Sequence, residues 1–484
     1  MNRRAKRLCV TLLLAVWIST ACAEDYQQLA KTDLDSIRDE LLINAAQVLD
    51  KNDVSFHAWI IRGYELAVNQ LVQVHSAAAY YYLMRYYVNG FRDPHLQFNA
   101  PGLNLSSQWP EFSLRYNNGN FVVAGSQSPQ VEDGIELINC DGQTPKQLML
   151  QRVFPYFGNP AMAASWVINT PRLLIDQANP WAPKLKECEF QDQGKTLIVS
   201  LAWQAISDAD VVGLLNAGKA QTSLGVEPFA KTGIWVYLPS FATDTATEQT
   251  SLNNLIKDLL KQRTASPIVL DLRGNYSKGF VYVQQLVQVL YGSAPSKGGS
   301  MGNEQRVWRV SPDNFEYLDQ QALPQLAEAE GKDSGAYQNL YKNMLNMKQA
   351  LAQHVLYYTE LAPLKPRTEN QAAPPAGKVL VLVDNYCVSA CLDLLDAIKV
   401  YPDVVLVGQH TNADTIYRQT RNAVLPSGNH LMLPMTIIKN SVRQNNQYYQ
   451  PCYTYSGNIV DTQAVQDWLT SEWRSMQACT IKPR

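Results

Sequence analysis

The stretch "VDNYCVSACLDLLDAI", residues 383–398, sets one serine, Ser389, between two cysteines where an apolar run gives way to helical spacing. At a strand-to-helix turn the first backbone N–H groups point at whatever lies in front of the helix. A serine there presents its hydroxyl for attack on a carbonyl, and the Ala390 N–H becomes a candidate donor to the oxyanion that forms. The plainer role for such a residue is a helix N-cap. The cysteines at 387 and 391 read as compact packing residues, Cys391 above all, although a bond between them across one helical turn is also open. A second stretch, "PIVLDLRGNYSKG" at 267–279, is an apolar run that ends in Asp271-Leu272-Arg273-Gly274. Gly274 permits close backbone approach, so its N–H is a further candidate oxyanion donor. The plainer reading is a strand-end turn with Asp271 and Arg273 at the surface. The third feature is His95 in "RDPHLQF", a loop histidine and candidate general base.

These residues need elements to hold them. Residues 25–90 carry apolar positions at three- and four-residue spacing and read as helices, with Asp33 or Asp35 capping the first and Gly90 ending the last. Between 110 and 205 the pattern turns strand-like. "FSLRYNNGNFVVAGS" holds an Asn-Gly turn between alternating runs, which predicts a hairpin. From 206 onward strand-like and helix-like runs alternate: "TGIWVYLPSF", "LNNLIKDLLKQR", "PIVLDLRGN", "GKVLVLVDN", "ACLDLLDAIKVY", "DVVLVGQHT". Such alternation predicts a largely parallel, buried sheet, with the strands at 267–272 and 379–383 paired in parallel. Residues 300–372 are polar and mostly helical in pattern and read as an insertion at the sheet edge. "ENQAAPPAG" behind them reads as a linker.

The bulk numbers restrict the function. The chain has 484 residues and a formal net charge of −2, with 46% hydrophobic and 10% aromatic residues. No basic surface large enough for nucleic acid follows from such a balance. Residues 1–23, "MNRRAKRLCVTLLLAVWISTACA", have the basic, apolar and small-residue regions of a secretory signal. Membrane contact is then expected only through that segment, if it stays uncleaved, and the location is periplasmic or secreted. Six cysteines follow it: Cys140, Cys188, Cys387, Cys391, Cys452 and Cys479. An even number in an exported chain suits disulfides, and Cys140 with Cys188 is the pair expected within the strand-rich segment. No CxxC or histidine-rich spacing suggests a metal, and no cofactor motif appears.

Taken in order, "DPH", "DLRGN", the Ser389-Ala390 step before a helix and "VGQHT" resemble the carboxyl-terminal processing (tail-specific) serine peptidases and the core of tricorn protease. "GIELINCDGQTP" resembles their PDZ-like domain. The resemblance implies an α/β fold. A crotonase-like (ββα spiral) peptidase core over 206–484 joins a helical N-terminal region, 24–108, and a PDZ-like β-module, 109–205. It implies that Ser389 is the nucleophile. Asp414 stands where the processing peptidases carry a lysine base, so the resemblance points instead to the tricorn-like branch, with His95 as the base. That branch has a glutamate late in the chain, where Gln447 stands here; either Gln447 or a neighbour orients His95, or Asp414 takes that role, or the triad is incomplete. The glycine loop of the family is altered to "RGNYSKG", keeping Gly274 and Gly279. The implied function is an exported serine endopeptidase acting through an acyl-enzyme on protein or peptide substrates, with no cofactor. The alternative is a catalytically silent relative that binds peptides or apolar ligands. The oligomeric state is left open.

Overall fold

The computed structural model describes residues 25–243, 245–292, 304–360 and 375–484. The signal-like segment and most of the linker-like segment lie outside the described residues.

Four apolar runs build the central sheet: Gly233–Tyr237, Ile268–Asp271, Val379–Val383 and Val404–Gly408. Every residue in them is buried, as parallel strands covered on both faces require. Ile268 pairs in parallel with Val379, and Val379 with Val404, so the expected parallel pairing is present. Gly225–Phe229 closes one edge antiparallel, and Tyr453–Thr454 lies parallel at the other. The helices Ala246–Gln262, Phe280–Tyr291 and Ala390–Ile398 cover one face, packing Leu255, Leu286 and Leu395 against Leu270 and Val381. The helix Thr462–Glu472 covers the other with Val465 and Leu469.

At the end of strand Ile268–Asp271, Arg273 and Asp271 are fully buried rather than at the surface. The Arg273 guanidinium donates to Asp271 at 2.9 and 2.7 Å and to the Ile459 carbonyl at 2.7 Å. The Trp235 indole donates to the same carboxylate at 3.1 Å. Removing one partner of a buried pair strands the other charge, which costs about 3–5 kcal/mol. Arg273→Met is therefore expected to lower stability by that amount in urea unfolding, and a loss below about 1 kcal/mol would contradict the arrangement.

The helical N-terminal region holds Tyr26–Asn44, Val54–Gln70 and Ala77–Asn89. The first helix starts earlier than expected, with Asp25 as its cap. Asp33 is buried inside it, accepting from the Tyr80 hydroxyl and from Ser427 N. Gly90 follows the third helix as expected.

Residues 113–200 form an antiparallel five-stranded sheet that begins with the expected hairpin. Asn118 and Gly119 turn it at φ 50° and 101°. Cys140 and Cys188 face each other on adjacent strands and are bonded, the expected pair. Cys452 is bonded to Cys479.

Residues 304–360 depart from the polar helical insertion expected over 300–372. The helices Pro312–Tyr317, Leu323–Glu330 and Gly335–Ala352 are there, but strands Gln305–Arg309 and Tyr357–Glu360 flank them. These pair with each other, and the first also pairs with His430–Lys439, to make a second sheet. Gln97–Asn99 pairs antiparallel with the start of the same long strand, at His430–Met432, which carries the loop bearing His95 from the N-terminal region to the central sheet.

Candidate active site

The segments of interest leave the carboxyl ends of neighbouring parallel strands: 272–279 after Ile268–Asp271, 384–389 after Val379–Val383, and 409–415 after Val404–Gly408. Open α/β sheets bind ligands at that edge.

Ser389 begins the helix Ala390–Ile398 at φ 57° and ψ −120°, without capping it. A non-glycine residue in this region is strained by about 1–3 kcal/mol and is held only when its surroundings demand it. One restraint is a disulfide between Cys387 and Cys391, which replaces the packing role expected of these cysteines and ties the residues on either side of the serine together. Another is a strap from the altered glycine loop. Val388 N–H donates to the Asn275 carbonyl and Ala390 N–H to the Ser277 carbonyl, both at 3.2 Å. Ser277 is itself anchored, its hydroxyl donating to Asn275 Oδ1 at 2.9 Å and accepting from Phe241 N at 2.6 Å. Gly279, at φ 135°, has no room for a Cβ, which would lie 2.2 Å from the Phe241 carbonyl oxygen.

The two expected oxyanion donors are therefore engaged in this structure. The Ala390 N–H is given to Ser277. The Gly274 N–H donates to Asp384 Oδ2 at 2.9 Å, while Tyr386 N donates to the other oxygen at 3.0 Å. Burial pushes the Asp384 carboxyl up to about 7, against the pull of these two N–H groups. Among the described residues the Ser389 hydroxyl makes no hydrogen bond.

His95 lies on the turn before strand Gln97–Asn99, with its ring mostly buried. Asp93 shapes that turn by accepting from His95 N at 2.9 Å. The Thr415 hydroxyl donates to Asp93 Oδ1 at 3.0 Å, so its oxygen accepts from His95 Nδ1 at 3.1 Å. That assigns a proton to Nδ1 and leaves Nε2 as the basic nitrogen. Asp414 Oδ1 is 3.5 Å from Nε2. Burial lowers the His95 pKa, but Asp414 and then Asp93 overcome it, and the net direction is upward. Burial likewise raises Asp414, yet Arg418, His95 and Arg443 bring its carboxyl down to about 2. Asp414 is thus an anion held by Arg418.

Arg418 continues toward the serine helix, reaching Asp393 at 3.9 Å. Arg443 lies between Asp393, at 2.9 Å, and Asp396, at 2.6 Å. Asp393 sits in the first turn of the helix that Ser389 begins. His95 is therefore joined to that helix through Asp414, Arg418 and Asp393, while no hydrogen bond joins it to Ser389 here. Gln447 stands apart from this chain. Its backbone bridges to Asp414, and its side-chain oxygen accepts from Gln444 N at 2.8 Å. Sequence reasoning passed over Asp93 and Thr415 as the Nδ1 partners. The Asp two residues before His95 was visible, whereas Thr415 lies 320 residues away and carried no signal.

No protein-family model and no curated protein matches the sequence. Among solved structures, mature CPAF complexed with lactacystin is similar at TM-score 0.64 and 13% identity, over 93% of this chain and 99% of that one. A second structure of mature CPAF is similar at 0.64 and 12%, over 93% and 98%. A photosystem II D1 C-terminal processing protease also matches, at 13% identity and TM-score 0.35, over 92% and 98%. The chain thus shares the fold of mature CPAF along nearly its whole described length.

Proposed function

We propose that this protein is an exported serine endopeptidase of the carboxyl-terminal processing type, with Ser389 as nucleophile and His95 Nε2 as base. The observations that carry the reading are a strained serine at a strand-to-helix turn and a histidine whose Nδ1 is held by Thr415 and Asp93, the two elements linked through Asp414, Arg418 and Asp393. The shared fold and the order of the motifs support it, and three disulfides support export.

His95 Nε2 takes the Ser389 proton as Oγ bonds to the substrate carbonyl carbon. The same proton passes to the leaving amine when the C–N bond breaks, and water then hydrolyses the acyl-serine ester by the same route in reverse. Asp414 stabilises the imidazolium between the steps. Attack requires two movements from the described conformation. The carbonyls of Asn275 and Ser277 must release the N–H groups beside Ser389, and Nε2 must come within about 3.2 Å of Oγ. The engaged N–H groups are what favours the second reading, a silent binding protein. A serine-directed fluorophosphonate separates the two: covalent labelling of Ser389 is expected, and absence of labelling in folded protein would leave only the binding reading.

The raised His95 pKa gives a pH prediction. The base acts only when neutral, so kcat/KM rises with pH, and its acid limb should have a midpoint above the ordinary histidine value of about 6.5. Asp414→Asn removes the largest single upward influence on His95, so the midpoint should move to lower pH. A midpoint that stays in place would exclude Asp414 from this role.

A further inference from the structure

The antiparallel module carries a cavity of about 160 Å³ well removed in the chain from Ser389. Its walls include Tyr81 and Tyr82 from the helix Ala77–Asn89, Phe157, Trp203 and two arginines, Arg152 and Arg172. The Arg172 guanidinium lies over the Phe157 ring at 4.1 Å, and its Nε donates to Asn169 Oδ1 at 3.3 Å. Among the described residues its two terminal nitrogens have no hydrogen-bond partner, and no carboxylate lies within ion-pair distance. Arg152 donates to the Ala182 and Pro183 carbonyls and likewise has no carboxylate partner. Arg85 lies over the same Phe157 ring at 4.6 Å and bonds only carbonyls, of Tyr156 and Phe98. The acid in the wall, Asp176, is taken by Lys184 at 3.5 Å.

Positive charge thus exceeds negative around this aromatic-walled space: Arg85, Arg152, Arg172 and Lys184 stand against Asp176, which Lys184 and Arg152 share. Its electrostatic cost is visible: desolvation first, then repulsion from Arg85, brings Arg172 down to about 10. Partly buried charges persist in proteins when paired or hydrogen-bonded, and a planar guanidinium whose two terminal nitrogens are free presents one edge that matches a carboxylate bidentately. A space of about 160 Å³ is large enough for one small aromatic molecule.

We propose that this cavity is a binding site for a small carboxylic acid with an aromatic or branched apolar body, its carboxylate on Arg172 and its body among Tyr81, Tyr82, Phe157 and Trp203. The site is independent of the peptidase reading. Calorimetry with phenylacetate on the full chain tests it. A Kd of roughly 0.1–1 mM is expected for an acid of about ten heavy atoms, and phenylacetamide, which has the same shape but no charge, should bind at least tenfold more weakly. Arg172→Met keeps the packing on Phe157 and should lose phenylacetate at least tenfold, while Arg172→Lys should lose less. A peptide ending in phenylalanine, offered beside its amidated form, identifies the source. Tighter binding than phenylacetate assigns the site to a chain terminus, weaker binding to a free acid, and either supports a carboxylate site. Equal binding of acid and amide, no binding of phenylacetate at 10-fold its expected Kd, or an unchanged Arg172→Met variant overturns the proposal. If that variant does not fold, the comparison of acid with amide on the unmodified chain decides.

Discussion

Ser389→Ala is expected to abolish peptidase activity, with kcat falling roughly 10⁵–10⁶-fold, since removing a triad nucleophile eliminates the covalent route and leaves only binding and electrostatic assistance. His95→Ala should fall by a similar factor, and the double variant no further, because the two residues act as one unit. Ser389 is half-buried and its hydroxyl bonds nothing among the described residues, so the alanine should leave thermal stability within about 1 kcal/mol of the parent. Purified protein assayed on a general substrate such as casein, with calorimetric Tm as the folding control, provides the check. Activity that survives in Ser389→Ala would remove the serine mechanism altogether.

The second large effect concerns the partner of His95. Asp93→Asn is expected to reduce kcat by about 10³–10⁴, the scale seen when a triad loses the carboxylate that holds its histidine tautomer. The geometry behind this is the Asp93–Thr415–His95 Nδ1 relay at 3.0 and 3.1 Å. Gln447→Glu should change the rate by less than about threefold, because that side chain caps a turn at Gln444 and does not reach the ring. The opposite ranking, with Gln447→Glu raising the rate and Asp93→Asn neutral, would assign the orienting role to Gln447. Asp93 also accepts from Gln47 at 2.6 Å, so Thr415→Val serves as a second variant: it breaks the relay while leaving that contact intact.

Much of the architecture was legible along the chain. The runs at 379–383 and 404–408 announce a doubly covered parallel sheet because each is apolar throughout. The Asn118-Gly119 turn announces its hairpin because two consecutive positive φ values need those residue types. Ser389 and His95 stood out by local setting. These features depend on neighbours within a few positions, where residue type alone decides the conformation.

Only the tertiary structure decided the rest. The strands flanking the helical insertion are short, and the central partner, His430–Lys439, lies far along the chain, so no local period betrays their sheet. The depth of the Asp271–Arg273 pair followed from the Ile459 segment closing over it. The fate of Gly274 and Ala390 N–H was equally hidden. A backbone donor is the same group in every residue, and whether it faces substrate or is spent on Asp384 or Ser277 is set by which loop folds across it. The contact of His95 Nδ1 with Thr415 was hidden likewise, because the two side chains lie 320 residues apart and meet only where the second sheet carries the His95 loop to the end of the first.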